Sequence, residues 1–154
     1  MRIVVAADNA GVALKDQLRD LLLADDRVDE VTDLGVADGS DDKAYPLLGL
    51  AAAETIARGE ADRGVLVCGT GIGMAISANK VPGVRATVAH DSYSAERSVK
   101  SNDCQVITFG ARAIGPELAK KIVGEWVGYR FDPASASASK VAHITEYEQA
   151  QSAF

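Results

Sequence analysis

The sequence predicts an α/β chain in which a five-stranded parallel sheet lies between two layers of helices, and two observations predict it. Short runs rich in β-branched residues alternate with longer segments whose apolar residues recur at helical spacing, from "RIVVAA" at the start to "GPELAKKIVGEWVGY" late in the chain. The strand-like runs are also apolar almost throughout rather than at every second position, which marks strands buried on both faces. Right-handed crossovers then distribute the helices over both sides of the sheet. The expected result is a Rossmann-like three-layer αβα sandwich that ends in a C-terminal arm or helix.

Each element follows in order. "RIVVAA" is a strand that stops at "DNAG", and "VALKDQLRDLLLAD" sets Val12, Leu14, Leu18, Leu21 and Leu22 near one helical face. "VDEVTDLG" forms a second strand, Tyr45 to Arg58 an alanine-rich helix, and "RGVLVCG" a third, strongly apolar strand. After a glycine turn "GIGMAISANK" suits a helix, "GVRATVAH" a fourth strand, "DSYSAERSVKSN" a helix and "CQVITFG" a fifth strand. Pro116 then opens a helix at the position where a missing N–H costs nothing. The tail "FDPASASASKVAHITEYEQAQSAF" differs: a small polar linker precedes a last helix from about Ser139. We read about 132–154 as an arm that docks on a partner subunit.

At 154 residues the chain is the size of one domain, 1–154, with room for a core that needs no disulfide or metal staple. No apolar run is long enough to cross a bilayer, so no membrane partner is expected. Ile3 to Ala7 is too short for the core of an export signal, and a cytoplasmic location is the expectation. Cys68 and Cys104 lack the paired spacing of a zinc site and form no disulfide framework, so both are expected as reduced thiols. A formal charge of −6 argues against nucleic acid, whose binding rests on clustered Lys and Arg, and leaves an anionic ligand dependent on a local pocket.

In an open α/β sheet ligands bind beyond the carboxyl ends of the strands. Four polar loops meet there: "ADNAG", "CGTGIG", "AHDSYS" and "FGAR". The glycine loop alone admits any anion. It lacks the Lys-Ser/Thr ending of a P-loop and follows the third strand rather than the first, against a dinucleotide site. Cys68 is sharper, because a thiol at a strand end beside a helix N-terminus sits where the dipole favours a thiolate able to take a proton from carbon. A small buried hydrophobe is the competing reading, and this stretch leaves the two level. Cys104 reads as structural. Asp8 and Asn9 suit sugar hydroxyls or, more simply, a helix cap. His90 is an acid, a base or phosphate donor, or a satisfied side chain holding the Asp91 loop, while His143 falls in the tail. Arg112, just after the last strand, is placed for a phosphate fork or is a surface cation at a helix start.

Together "ADNAG", "AYP", "EADRGVLVCGTGIGMAISANKVPGVRA", "HDSYSAERS", "SND" and "FGARAIGPELAKKIV" resemble the ribose-5-phosphate isomerase B family, which includes the galactose-6-phosphate isomerase subunits. The resemblance covers nearly the whole chain and is most specific around Cys68. It implies a metal-free, cofactor-free aldose–ketose isomerase of a small phosphorylated sugar, working as a homodimer or a dimer of dimers with active sites between subunits. Cys68 would then move a proton between C1 and C2 through a cis-enediolate, with Thr70 and the N–H groups of Gly69, Gly71 and Gly73 stabilising the oxyanion. Asp8, Tyr45 and Asn102 would hold substrate oxygens, Arg112 would grip the phosphate, and Lys140 of the neighbouring subunit stands where the family usually has an arginine.

Three departures bear on the substrate. The first loop reads Asp8-Asn9-Ala10-Gly11 where the family usually has Asp-His-Ala-Gly. Ser101 replaces the histidine that opens the sugar ring, and "SASASK" replaces an Arg- and His-rich phosphate cluster. Ribose 5-phosphate closes its ring through the C4 hydroxyl, whereas a tetrose 4-phosphate has that oxygen esterified and stays open. The expected substrates are therefore D-erythrulose 4-phosphate and D-erythrose 4-phosphate. The alternatives are a ribose-5-phosphate isomerase using His90 or spontaneously opened sugar, and a non-catalytic sugar-phosphate or nucleotide binder. Cys68 and Thr70 argue against the binder, which needs no carbon base.

Overall fold

In the computed structural model, which describes residues 1–151, the strands are β1 (Arg2–Ala7), β2 (Glu30–Asp33), β3 (Arg63–Cys68), β4 (Ala86–Val88) and β5 (Val106–Gly110). The helices are α1 (Val12–Leu23), α2 (Tyr45–Ala57), α3 (Ile72–Ala78), α4 (Ser92–Lys100), α5 (Pro116–Trp126) and α6 (Ala138–Gln151). All strand pairs are parallel, in the order β2-β1-β3-β5-β4. The expected αβα sandwich is thus observed. The last three residues of the predicted arm, 152–154, lie outside the described residues.

Alternation along the strands sorts side chains into two cores, since successive residues of a strand face opposite sides. Ile3, Val5, Val65, Val67, Ile107 and Phe109 face α1, α4 and α5, where Leu18, Leu22, Ile122 and Trp126 are buried. Val4, Ala6, Leu66, Cys68 and Val106 face α2 and α3, meeting Leu48, Ala52, Ala53, Met74 and Ala78. A fully buried Leu or Phe in such a core is worth about 1.5–3 kcal/mol. Small residues bring α2 and α3 close: a Cβ on Gly49 would lie 3.0 Å from the Ser77 Cβ.

All six residues of β3 are buried. At its first residue the Arg63 guanidinium lies 4.8 Å from the centre of the Trp126 ring and donates to the carbonyls of Trp126 at 2.8 Å and Tyr129 at 2.5 Å. Burial pushes this guanidinium down to about 10. β4 is shorter than the run "GVRATVAH" suggests: the Arg85 carbonyl still accepts the Gln105 and Val106 N–H groups, but the Arg85 N–H turns to a side chain. The Arg85 N–H donates to Gln105 Oε1 at 2.8 Å, and Gln105 Nε2 donates to the Gly83 carbonyl at 2.9 Å.

The strand order creates the crevice. β1 leads to α1 on one face of the sheet, while neighbouring β3 leads to α3 on the other, so the loops beyond their carboxyl ends part. The tail forms α6, with Val141 buried, and the Gly83 N–H donates to Glu148 Oε2 at 2.8 Å. That bond holds the far part of α6 against the turn before β4.

Candidate active site

Cys68 ends β3 and faces α3, and its Sγ accepts the Gly71 N–H at 3.1 Å. Gly71 makes this possible with φ of +79°, a left-handed conformation that side chains disfavour, and α3 starts at the next residue. Cys68 is only 4 % exposed, yet it borders an open cavity of about 440 Å³. Asp8, Asn9, Tyr45, Gly69, Thr70, Gly73 and Arg112 share that cavity, with Ala10, Ile72 and Ile76. Loops after β1, β3 and β5 and the start of α2 therefore converge on one thiol.

Each wall has a local cause. The Ala10 N–H donates to Asp8 Oδ1 at 3.1 Å, which turns the chain beyond β1 and leaves Oδ2 without a partner among the described residues. Asp8 makes this turn rather than capping α1, whose N-cap is Gly11 with no side-chain cap bond. Tyr45, the first residue of α2, lays its ring on Gly73, where a Cβ would fall 2.3 Å from the ring. The Thr70 Oγ1 accepts the Ile72 N–H at 3.3 Å, which leaves its own proton free to donate outward.

β5 supplies the cation. The Ala111 N–H donates to the Cys68 carbonyl at 2.8 Å and the Arg112 N–H to the Gly69 carbonyl at 3.0 Å, stitching the two loops together. The Arg112 side chain lies across Gly69, and a Cβ there would be 2.9 Å from Nη1. Among the described residues its guanidinium has no carboxylate or carbonyl partner, so its charge is available to an anion.

Three expected residues lie elsewhere in the same chain. His90 Nε2 accepts the Gly110 N–H at 2.9 Å, which puts the ring proton on Nδ1 and uses the histidine to join the end of β4 to β5. Asn102 borders a second cavity of about 510 Å³ with Arg85, Arg97 and Ile144, and its Nδ2 donates to the Arg97 carbonyl at 3.0 Å. Lys140 is exposed on α6, away from the thiol's cavity. The Gly71 N–H is also engaged by Cys68 Sγ rather than open to a ligand. Ile72 and Ile76, which are not among the residues expected from sequence, stand one helical turn apart on the rim, 54 % and 56 % exposed. Apolar residues on the outer face of so short a helix were the available signal.

A parallel α/β sheet with a thiol, a hydroxyl, a carboxylate and an unpaired guanidinium around one cavity at its switch point defines an enzyme for small anionic substrates. The chain belongs to the Ribose/Galactose Isomerase family, which it matches over residues 3–144 and whose members are sugar-phosphate aldose–ketose isomerases. It is 55 % identical to D-erythrulose-4-phosphate isomerase 2 of Mycolicibacterium smegmatis, over 97 % of this chain and 99 % of that protein. It is 45 % identical to D-erythrulose-4-phosphate isomerase of Pectobacterium atrosepticum, over 96 % and 95 % of the two chains. The structure of Clostridium thermocellum ribose-5-phosphate isomerase B superposes with a TM-score of 0.91 at 38 % identity, covering 98 % of this chain and 99 % of that one.

Proposed function

We propose that this chain interconverts D-erythrulose 4-phosphate and D-erythrose 4-phosphate, with Cys68 as the base. The observation that carries the reading is a thiol bordering a cavity that neither of the chain's two histidines lines, in a chain this similar to D-erythrulose-4-phosphate isomerases. An open-chain tetrose phosphate asks for no ring-opening acid or base. The His90 bond to the Gly110 N–H occupies one ring nitrogen and speaks against the ribose alternative that relied on it.

The Cys68 thiolate removes a proton from C1 of the ketose, and the electrons pass through the C1–C2 bond to O2, giving a cis-enediol(ate). Returning a proton to C2 and removing that on O1 leaves the aldehyde. The Thr70 hydroxyl and the N–H groups of Gly69 and Gly73 stabilise the oxyanion. Asp8, Asn9 and Tyr45 hold hydroxyls, and Arg112 pairs with the phosphate. A cytoplasmic setting keeps the free thiol reduced.

The working unit is a homodimer or dimer of dimers of single-domain chains, in which a neighbour's Asn102 and Lys140 complete the cavity and its surface covers Ile72 and Ile76. The separation of Asn102 and Lys140 from Cys68 within one chain supports this arrangement.

Replacement Cys68→Ala tests the base. Isomerisation falls at least about 100-fold while calorimetry still detects sugar-phosphate binding. Equal loss of turnover and binding would mean a collapsed site and would remove the catalytic assignment.

A further inference from the structure

Thr108, fully buried in the middle of β5, lies outside the cavity and takes no part in the chemistry above. Its side chain points to the α3 side of the sheet, and its hydroxyl donates to the Gly71 carbonyl at 2.8 Å. The Thr87 carbonyl is farther away, at 3.4 Å, and a hydroxyl has one proton, so the Gly71 carbonyl is the partner.

Gly71 is the joint between the thiol and the threonine of the cavity. The peptide on its amino side carries the N–H that donates to Cys68 Sγ at 3.1 Å. The peptide on its carboxyl side has the Gly71 carbonyl at one end and the Ile72 N–H at the other, and that N–H donates to Thr70 Oγ1 at 3.3 Å. A glycine at φ of +79° has no side chain to hold its torsions, so these two peptide planes need an external anchor. The Ala75 N–H, the first helical bond of α3, reaches the same carbonyl at 3.1 Å, and Thr108 adds a second bond from the sheet beneath.

We propose that Thr108 is a positioning residue that sets the 71–72 peptide plane and, through it, the direction in which the Thr70 hydroxyl donates to the oxyanion. The catalytic part rests on the isomerase reading above. A peptide plane is rigid, so fixing its oxygen aims its N–H. Because Thr70 Oγ1 accepts that N–H, its remaining proton is confined to directions that include the cavity. A tilted plane would release this constraint while leaving Cys68, Arg112 and the cavity's shape in place.

The test compares Thr108→Val, which keeps the shape and removes the hydroxyl, with Thr108→Ser, which restores it. In the ligand-free protein, ¹⁵N–¹H spectra and amide exchange report the Ile72 N–H directly. We expect its resonance to shift and its exchange to quicken in Thr108→Val, and both to return in Thr108→Ser. In assays with erythrulose 4-phosphate, kcat of Thr108→Val falls about tenfold with KM nearly unchanged, and Thr108→Ser recovers it. An unmoved Ile72 amide would overturn the positioning role whatever the activity. A moved amide with unchanged kcat would overturn the catalytic consequence. Wild-type protein inactive on every sugar phosphate offered would overturn the isomerase reading instead, and the amide comparison would still decide whether Thr108 sets the peptide.

Discussion

The contact between Tyr45 and Gly73 shows how one missing side chain shapes the cavity. A Cβ on Gly73 would meet the Tyr45 ring at 2.3 Å, but that ring is 41 % exposed and free to swing aside. Gly73 is the second residue of α3, a helical position at which alanine is favoured over glycine by at most about 1 kcal/mol. Gly73→Ala is therefore expected to hold or slightly raise the melting temperature while raising KM about tenfold, as Tyr45 is displaced from the substrate's side of the cavity. Thermal unfolding and steady-state kinetics check the two halves; a large loss of stability with unchanged KM would contradict them. Several residues that line the cavity were legible in sequence because each ends or follows a strand: Asp8 after β1, Cys68 at the end of β3, Arg112 after β5. The Tyr45–Gly73 contact joins residues 28 positions apart through helix packing, so no local pattern announces it. His90 also sits at a strand end, yet its ring turns to the Gly110 N–H, a choice no spacing dictates.

At the scale of elements, the junction between α4 and β5 carries the chain's other thiol. Cys104 is buried, its N–H donates to the Ser98 carbonyl at 2.9 Å, and burial pushes its thiol up from 9.0 to about 11. A folded-state value above the unfolded one means stability is fully present below about pH 9 and is lost as pH rises toward 11. That loss amounts to about 3 kcal/mol. Denaturant unfolding across this range is expected to show a steeper alkaline decline in wild type than in Cys104→Ala; parallel declines would contradict the assignment. The order of strands and helices was legible because the central strands β1, β3 and β5 are buried on both faces and largely apolar, and glycine and proline punctuate the chain. Strand ends were less so: before β4 the Gln105 side chain takes the Arg85 N–H and donates to the Gly83 carbonyl, a side-chain choice that composition does not reveal. The sheet order was not readable either, since which strands pair depends on how all the helices pack at once.

At the scale of the whole molecule, the proposed shared site predicts complementation between damaged chains. Cys68→Ala removes the base from one side and Asn102→Ala a binding group from the other. A mixed dimer carrying one of each keeps one complete site. Refolding the two variants together is expected to recover about a quarter of wild-type activity, since about half the dimers are mixed and each has one of two sites intact. Sites built within single chains would show only the mean of the two variants. Which sugar enters that site is tested by a direct comparison of substrates. Purified protein without added metal would be assayed on erythrulose 4-phosphate and on ribose 5-phosphate, with Cys68→Ala as the control. A site built for an open-chain tetrose gives kcat/KM at least about 100-fold higher for erythrulose 4-phosphate, a transition-state preference of about 3 kcal/mol, with both activities lost in Cys68→Ala. Efficient turnover of ribose 5-phosphate, equal to or better than the tetrose, would contradict it and would require another group to open the ring.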